Sequence, residues 1–230
     1  MAIARDNHAV IHAGSVFPTT TGTIAYTIND NTNGFLKVDL LNNTVGTGKC
    51  TGVTYNGAAM TIIGTARQGA TNDRYIYSWG LVAPATGANN VIITNSGTGH
   101  FIEAVAANYT GVKQTGQPDA IDLTENESSS IAGTITTVAD NCWIVGAIRS
   151  QDGTQTAGVN TTILDRAQGT AAPSGMMSFE HSTQPFTPAG LGTNSFSLSN
   201  SNGAALIMYS LAEASSGASS YKTLTGAGQA

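Results

Sequence analysis

The chain has 230 residues and a formal net charge of −5 at pH 7, and only 10% of its residues are charged. Globular domains usually contain about 25% charged residues, so this composition disfavours solvated helices and favours an all-β fold covered with Thr, Ser and Asn. The nine Lys and Arg residues are scattered singly along the chain, so we expect no nucleic-acid partner.

The sequence also has no apolar run long enough to cross a bilayer, and its first residues lack the apolar segment of a secretory signal. We therefore expect no membrane contact, and synthesis in a host cytoplasm without a signal peptide. A chain of this length can bury one sizeable core without disulfides or metals.

The N-terminal part of the chain predicts an arm followed by a hairpin. Residues 1–22 show no sustained hydrophobic period, which is typical of an arm that lies on a neighbour. Residues 23–28 and 36–41 alternate apolar and polar side chains around an Asn-rich turn, as two antiparallel strands do. In the second of these strands, Lys37 and Asp39 are predicted to face solvent.

Two turns follow. The glycine-rich segment 46–52 contains Lys49 but lacks the spacing and the following helix of a phosphate-binding loop, so we interpret it as a turn. Asn56 and Gly57 stand between two short apolar segments. Both residues tolerate positive φ, and this pair is the strongest local signal for a tight hairpin.

The segment 74–96 is the clearest strand pattern in the chain. Tyr75, Tyr77 and Trp79 alternate with smaller residues, and a turn with Pro84 leads into a β-branched strand. The segment therefore predicts a central hairpin. The three aromatic residues could form a sugar-stacking platform, but alternation within a strand favours core packing.

Further strands are predicted in the second half of the chain. Residues 101–109, whose apolar face is interrupted by Glu103, and residues 131–138 are predicted as strands with an irregular segment between them. Residues 176–179 and 195–199 are predicted as shorter strands. The segments 142–148 and 204–211 are apolar on both faces, and their sequences are CWIVGAI and AALIMYSL. A strand with two apolar faces needs cover on both sides.

These elements predict an all-β fold of about ten to twelve short strands, arranged as a two-sheet β-sandwich of jelly-roll type. We assign residues 1–22 to the N-terminal arm, 23–212 to a single β-sandwich domain and 213–230 to a flexible C-terminal tail. No internal repeat with a fixed period is visible, which argues against a propeller or a solenoid.

The candidate catalytic groups do not form a recognisable set. The histidines fall in the arm and in predicted loops, and they are His8, His12, His100 and His181. No G-x-S-x-G elbow is present, so we expect no enzymatic activity, no catalytic residue and no cofactor. His8 and His12 would share a metal only on a helix, which this segment does not predict, and solvent-exposed histidines are the simpler interpretation.

The cysteines and the carboxylates leave alternatives open. Cys50 and Cys142 are interpreted as two small buried hydrophobes, although a bridge between them is the alternative. The acidic loop 119–127 could offer oxygen ligands to Ca²⁺, but it lacks the EF-hand order, and a solvated loop without metal is favoured. Glu103 and Asp39 are the strand acids that a polysaccharide-active enzyme would use. We expect two aromatic residues, Tyr221 and Phe186, to be exposed and available for contact with a ligand.

Four segments in order carry a family resemblance. They are VTYNGAAMT from Val53, YSWGLVAPATGANNVIIT from Tyr77, YTGV from Tyr109 and DNCWIVGA from Asp140. Together they resemble a group of bacteriophage and environmental β-sandwich proteins, over roughly residues 50–212. The resemblance implies a virion component, such as a capsid decoration or fibre module, and does not extend to the arm or the tail.

The sequence thus predicts a non-enzymatic virion structural protein. Because the strands 142–148 and 204–211 have two apolar faces, we expect a symmetric neighbour to cover at least one of them. Capsid decoration as a homo-oligomer on the capsid surface is favoured, with the major capsid protein as partner. A fibre-tip or adhesin module that binds surface glycans is the alternative.

Overall fold

The structure is a computed structural model. It describes residues 1–42, 49–68, 74–150, 154–168, 175–199 and 203–215. The protein is all-β, as the composition predicts, and its 17 strands form four antiparallel sheets rather than the two sheets of ten to twelve strands expected. The described residues contain no helix that could span a membrane.

The first half of the chain, residues 1–112, forms two of these sheets. In spatial order, inner sheet 1 consists of β1 (Ala4–Phe17), β9 (His100–Thr110), β3 (Phe35–Asn42), β7 (Tyr75–Val82) and β6 (Thr61–Arg67). Outer sheet 1 consists of β2 (Thr21–Ile28), β8 (Gly87–Asn95), β4 (Cys50–Tyr55) and the short β5 (Ala58–Ala59).

The second half, residues 113–215, forms the other two sheets. Inner sheet 2 consists, in spatial order, of β10 (Ala120–Asn126), β17 (Ala204–Leu211), β12 (Trp143–Ser150), β15 (Met176–His181) and β14 (Thr161–Ala167). Outer sheet 2 consists of β11 (Ser130–Thr136), β16 (Leu191–Leu198) and β13 (Gln155–Ala157).

The two halves repeat one topology. If β5 is set aside, the first strand of each half pairs with its last strand, and every other pairing in one half has its counterpart in the other. The repeat extends to an irregularity: the ladder of β6 shifts between Ile62 and Gly64, and that of β14 shifts between Ile163 and Asp165. The chain is therefore a structural duplication, although no fixed period in the sequence predicts it.

The four sheets stack as layers in the order outer sheet 1, inner sheet 1, inner sheet 2, outer sheet 2. One apolar core lies inside each half, between its outer and inner sheets. A third core lies between the two inner sheets, where Val105 and Tyr109 of one half meet Ile207 and Tyr209 of the other. We call this third layer the contact layer.

The contact layer explains the strands with two apolar faces. In β12, Val145 faces the contact layer while Ile144 faces the core of the second half, and β17 divides its side chains in the same way. Both faces are covered by sheets of the same chain. The expectation that these two strands need a neighbouring molecule as cover is therefore wrong.

The predicted N-terminal arm also differs from the structure. Residues 4–17 form strand β1, which pairs with β9 along its whole length, and Ile3 is buried in the contact layer. Three register shifts interrupt this ladder, and each one resets the alternation of side chains, so the sequence loses its period of two. At the other end, Glu213 still pairs with Val112, and residues 216–230 of the predicted tail lie outside the described residues.

Most predicted hairpins are crossings between sheets. β2 and β3 belong to different sheets, and so do β7 and β8, so the turns between them carry the chain from one layer to the next. The Asn56-Gly57 hairpin is confirmed, with φ angles of 48° and 78° at its two turn residues. Strands β10 and β14 lie in segments that the sequence predicts as loops.

Candidate functional site

A buried ion pair lies at the centre of the contact layer. Lys37 Nζ is 2.8 Å from Asp39 Oδ2, and both side chains have 0% exposure. Lys37 also donates to the carbonyl oxygen of Gly146 in the other half, at 3.1 Å. The prediction that these two residues face solvent is wrong, because the polar face of β3 is covered by inner sheet 2.

Asp39 joins the two halves through hydroxyl groups. Ser78 Oγ donates to Asp39 Oδ1 at 2.6 Å, and Ser178 Oγ donates to Asp39 Oδ2 at 3.1 Å. Ser78 lies on β7 and Ser178 on the matching strand β15 of the second half. One carboxylate therefore receives a hydroxyl from each half and a cation from its own strand, which satisfies a charge that would otherwise be costly to bury.

Other polar groups of the contact layer are also bonded within the chain. Glu103 Oε2 accepts a hydrogen bond from the backbone N–H of Met176 at 3.0 Å, and Arg149 donates to the side chain of Gln68. Burial raises the pKa of Tyr209 well above its ordinary value. Glu103 and Asp39, the acids considered for a polysaccharide-active enzyme, are fully buried, so a polysaccharide in solvent does not reach them.

The four histidines lie in four separate settings. His8 Nδ1 is 2.7 Å from Asp165 Oδ2, and His12 lies between the carbonyl oxygen of Ile102, 2.8 Å from Nδ1, and the hydroxyl of Ser15, 3.1 Å from Nε2. His8 and His12 are thus half-buried residues of a strand, not exposed residues of an arm. No group of three or more metal-ligating side chains is found among the described residues.

The other two histidines are buried. His100 begins strand β9. His181 ends strand β15, and its ring centre lies 5.2 Å from that of Phe186 in an edge-to-face arrangement. Burial lowers the pKa of His181. Phe186 is itself partly buried against the core of the second half, which differs from the exposed position predicted for it. Tyr221 lies outside the described residues.

The acidic segment 119–127 is mostly strand β10 rather than a loop. Asp119 Oδ2 accepts the backbone N–H groups of Val138 and Ala139, at 2.9 and 3.2 Å. Asp122 and Glu125 are an odd number of positions apart in the strand, so they point to opposite faces. These carboxylates do not converge on one point, as Ca²⁺ ligands would have to.

Both cysteines are free and buried, in agreement with the interpretation as small hydrophobes. Burial raises the pKa of each thiol to about 12. The glycine-rich turn before Cys50 lies partly outside the described residues. Lys49 is described, and its ammonium lies 4.7 Å from the ring centre of Tyr75.

The aromatic residues of β7 pack as predicted. Tyr77 and Trp79 are buried in the core of the first half, and Tyr75 packs against the same core while it remains half-buried. Burial raises the pKa of Tyr77. This strand therefore offers no sugar-stacking platform.

A pocket of about 270 Å³ opens at one end of the contact layer, where β6 packs against β10. Its apolar lining includes Phe35, Ile62, Ile63, Leu81, Val82 and Ile121. Ile62 and Ile121 remain 46% and 47% exposed, and the nearby Leu123 is 47% exposed. The pocket could not be predicted from the sequence, because Ile121 and Leu123 fall in a segment whose composition is typical of a loop.

The outward faces of the two outer sheets form a second candidate surface. The strands of these sheets contain no Lys, Arg, Asp, Glu or His. Exposed outward positions on the edge strands β2 and β11 are Thr21, Thr23, Ala25, Thr27, Ser130, Ala132, Thr134 and Thr136. The two faces lie on opposite sides of the layered molecule and present hydroxyl and methyl groups without charge.

No protein-family model matches the chain, and no curated protein sequence matches it. Among solved structures, a chain titled BspA_C_WT aligns at 9% sequence identity with a TM-score of 0.20, over 89% of this chain and 88% of that chain. A TM-score this low carries no argument about fold or function.

Proposed function

We propose that this chain is a non-enzymatic structural protein of a phage particle, specifically a capsid decoration protein that assembles as a symmetric oligomer. We also infer that each half is a β-sandwich of the jelly-roll type. In each half the first strand lies beside the last, and the chain crosses repeatedly between two sheets, as in the double Greek key of that fold.

The uncharged outer faces carry this proposal. When two protein surfaces associate, each unpaired charge that loses water costs several kcal/mol, whereas Thr, Ser and Ala can be covered at little cost. A molecule with such a face on each of two opposite sides suits close contact with other protein molecules. The strands with two apolar faces give no support here, because the chain covers them itself.

The proposal is tested by assembly. We expect the purified protein to form a discrete oligomer in mass photometry and to co-sediment with capsids built from the major capsid protein of the same phage. Thr23→Lys and Thr134→Lys each place a charge on one outer face and should weaken assembly. Val159→Lys, at an exposed loop position outside the outer sheets, is the matched control. A protein that stays monomeric and does not bind capsids contradicts the proposal.

The alternative function is a fibre-tip or adhesin module that binds surface glycans. The same outer faces favour it, because their hydroxyl and amide groups can exchange hydrogen bonds with sugars. A glycan array separates the two functions. Binding that Thr23→Lys or Thr134→Lys abolishes, by a protein that does not bind capsids, would support the adhesin and contradict capsid decoration.

A further inference from the structure

The contact layer has two ends that the duplication makes equivalent. At one end, β6 of the first half packs against β10 of the second, and at the other end β14 of the second half packs against β1 of the first. β6 and β14 hold the same place in their sheets, and so do β10 and β1. We call the β6/β10 side the open end and the β1/β14 side the closed end.

An ion pair and a histidine–carboxylate contact join the two halves at the closed end. Arg5 Nη1 on β1 donates to Glu180 Oε2 on β15 at 2.6 Å, and His8 Nδ1 on β1 is 2.7 Å from Asp165 Oδ2 on β14. Each pair connects the first half of the chain to the second. These side chains place charged and polar groups between the sheets at this end.

Glycines replace both carboxylates at the open end. Ser78 and Ser178 match, since each donates to Asp39 from the same position of its sheet. Two residues further on, the first half has Gly80 where the second has Glu180. After the shared bulge, the ladder pairs Gly64 with Ser78 and Asp165 with Ser178.

The strand that faces these glycines, β10, likewise has apolar residues where its counterpart β1 has basic ones. Where β1 presents Arg5 and His8, β10 presents Ile121 and Leu123, and a Cβ at Gly64 would lie 2.8 Å from Leu123 Cδ2. A Cβ at Gly80 would lie 2.6 Å from the Phe35 ring. The closed end has charged and polar side chains at the positions that Gly64, Gly80, Ile121 and Leu123 hold at the open end, so the apolar lining is a property of the open end and not of the topology.

The chain passes beside this pocket shortly before the last described residue, Ser215. The backbone N–H of Ala212 donates to Oε1 of Gln117 at 2.8 Å, and Gln117 lines the pocket. The residues beyond Ser215 include one aromatic residue, Tyr221. From Ala212 the chain continues toward the start of β1, where the carbonyl oxygen of Ala214 accepts a hydrogen bond from the N-terminal ammonium of Met1 at 2.8 Å. Tyr221 follows Ser215 by six positions, and an extended chain of that length has a reach of about 20 Å.

We propose that the pocket at the open end is a docking site for the C-terminal segment 216–230 of this chain, with the side chain of Tyr221 in the pocket. Leu224 is the large aliphatic residue of the same segment, and Ile62, Ile121 and Leu123 offer it an exposed apolar rim. A pocket of about 270 Å³ accommodates one aromatic side chain and excludes much larger groups.

Charge complementarity supports the same occupant. The segment 216–230 contains Lys222 and no acidic side chain, whereas residues 119–127 contain four carboxylates and no basic side chain. Glu125 stands on the same face of β10 as Ile121 and Leu123. A lysine next to the docked tyrosine would therefore lie near the carboxylate of Glu125, which favours docking at low ionic strength.

Photo-crosslinking in the full-length protein tests this inference. With p-benzoylphenylalanine in place of Tyr221, we expect the crosslinks to fall on the peptides that contain Ile62, Leu81 and Ile121. Ile121→Asp should reduce their yield about tenfold, because a carboxylate replaces apolar contact area. Leu191→Asp, a change at a 68% exposed residue of outer sheet 2, is the control and should leave the yield unchanged.

Two results would overturn the inference: crosslinks that fall mainly outside the open end, or a yield that Ile121→Asp does not change. Mixing isotope-labelled and unlabelled protein distinguishes docking within one chain from docking between two copies, and either result supports the site. A second measurement needs no crosslinker. In the full-length protein, Tyr221→Ser should shift the methyl NMR signals of Ile62, Ile63 and Ile121 and leave that of Leu191 unchanged. The inference does not depend on the proposed function, since capsid binding is not part of either measurement.

Discussion

Every charged residue that lies in a described strand belongs to an inner sheet, whereas the strands of the outer sheets have none. Four of these charged residues are fully buried in the contact layer: Lys37, Asp39, Glu103 and Arg149. Most globular proteins show the opposite distribution, with charges on the surface and apolar residues inside.

The contrast between the contact layer and the outer faces indicates what each surface does. Buried ionic groups rarely add net stability, but they penalise any arrangement that leaves them unpaired. The Lys37–Asp39 pair, which receives one serine hydroxyl from each half, is satisfied when the two inner sheets are in the observed register. The outer faces carry no such groups, so they can be exposed or covered at similar cost.

Removal of the buried cation should have the largest effect. Lys37→Met leaves Asp39 as a buried carboxylate without its counter-charge, and we expect a loss of about 3–5 kcal/mol in the free energy of unfolding. Urea denaturation followed by tryptophan fluorescence measures this loss. Lys113→Met, at an exposed position, is the matched control and should stay within about 0.5 kcal/mol.

The double variant Lys37→Met with Asp39→Leu sharpens the result. It removes both charges, so it should recover part of the stability that Lys37→Met loses. A single variant that costs less than about 1 kcal/mol would show that the pair does not hold the contact layer together, because surface ion pairs have effects of that size.

Substitutions that give the open end the polar residues of the closed end should have an intermediate effect on the free energy of unfolding. Gly64→Asp alone brings its side chain against Leu123 and should destabilise the fold by about 1–3 kcal/mol. Adding Leu123→His supplies the partner that Asp165 has at the closed end. The second change should restore roughly 1 kcal/mol, the value of a partly exposed pair. A double-mutant cycle without coupling would contradict the equivalence of the two ends.

The sequence predicted the local elements well where one rule governs them. Strand β17 begins and ends at the predicted residues, and the Asn56-Gly57 turn has the positive φ angles that these residues allow. Such elements depend on the period of the side chains and on the residues of the turn, both of which are determined by a few consecutive residues. Strand β1 was not predicted, because its three bulges break that period.

The pairing of the strands could not be predicted in the same way. A polar turn between two strands reverses the chain, but it does not say whether the second strand joins the same sheet or the opposite one. For the same reason Lys37 and Asp39 were assigned to solvent: alternation distinguishes two faces of β3 without saying what covers the polar face. The pocket at the open end joins Ile62 and Ile121, which are far apart in sequence, and recognition of the duplication would have been the signal that relates them.

Mild acid should cause a smaller loss of stability, confined to the second half of the chain. Burial lowers the pKa of His181 below its ordinary value of 6.5, so below that pH the unfolded chain binds a proton that the folded chain resists. Stability from this residue is therefore present at neutral pH and is lost as the pH falls from about 6.5 toward the folded-state pKa. His181 occupies the position that Leu81 holds at the open end.

Unfolding curves of the wild type and of His181→Gln between pH 7 and pH 5 measure this contribution. The variant should lose less stability on acidification than the wild type, since it has no proton to gain at this site. Equal slopes would show that His181 is protonated as easily in the folded as in the unfolded chain. Leu81→Gln at the open end changes the matching position without a titrating group, so its slope should equal that of the wild type.

A charge on an outer face should have the smallest effect on the isolated chain. Thr134 is exposed on β11 and lies opposite Thr193 on β16, so Thr134→Lys can extend its ammonium into water without displacing a packed group. We expect a change in the free energy of unfolding within about 0.5 kcal/mol, measured in dilute protein by urea denaturation. A much larger loss under these conditions would mean that this face is covered even in the isolated protein. If Thr134→Lys changes the free energy of unfolding little but weakens assembly, the charge is unfavourable only where two molecules are in contact. This is the result that an uncharged outer face predicts.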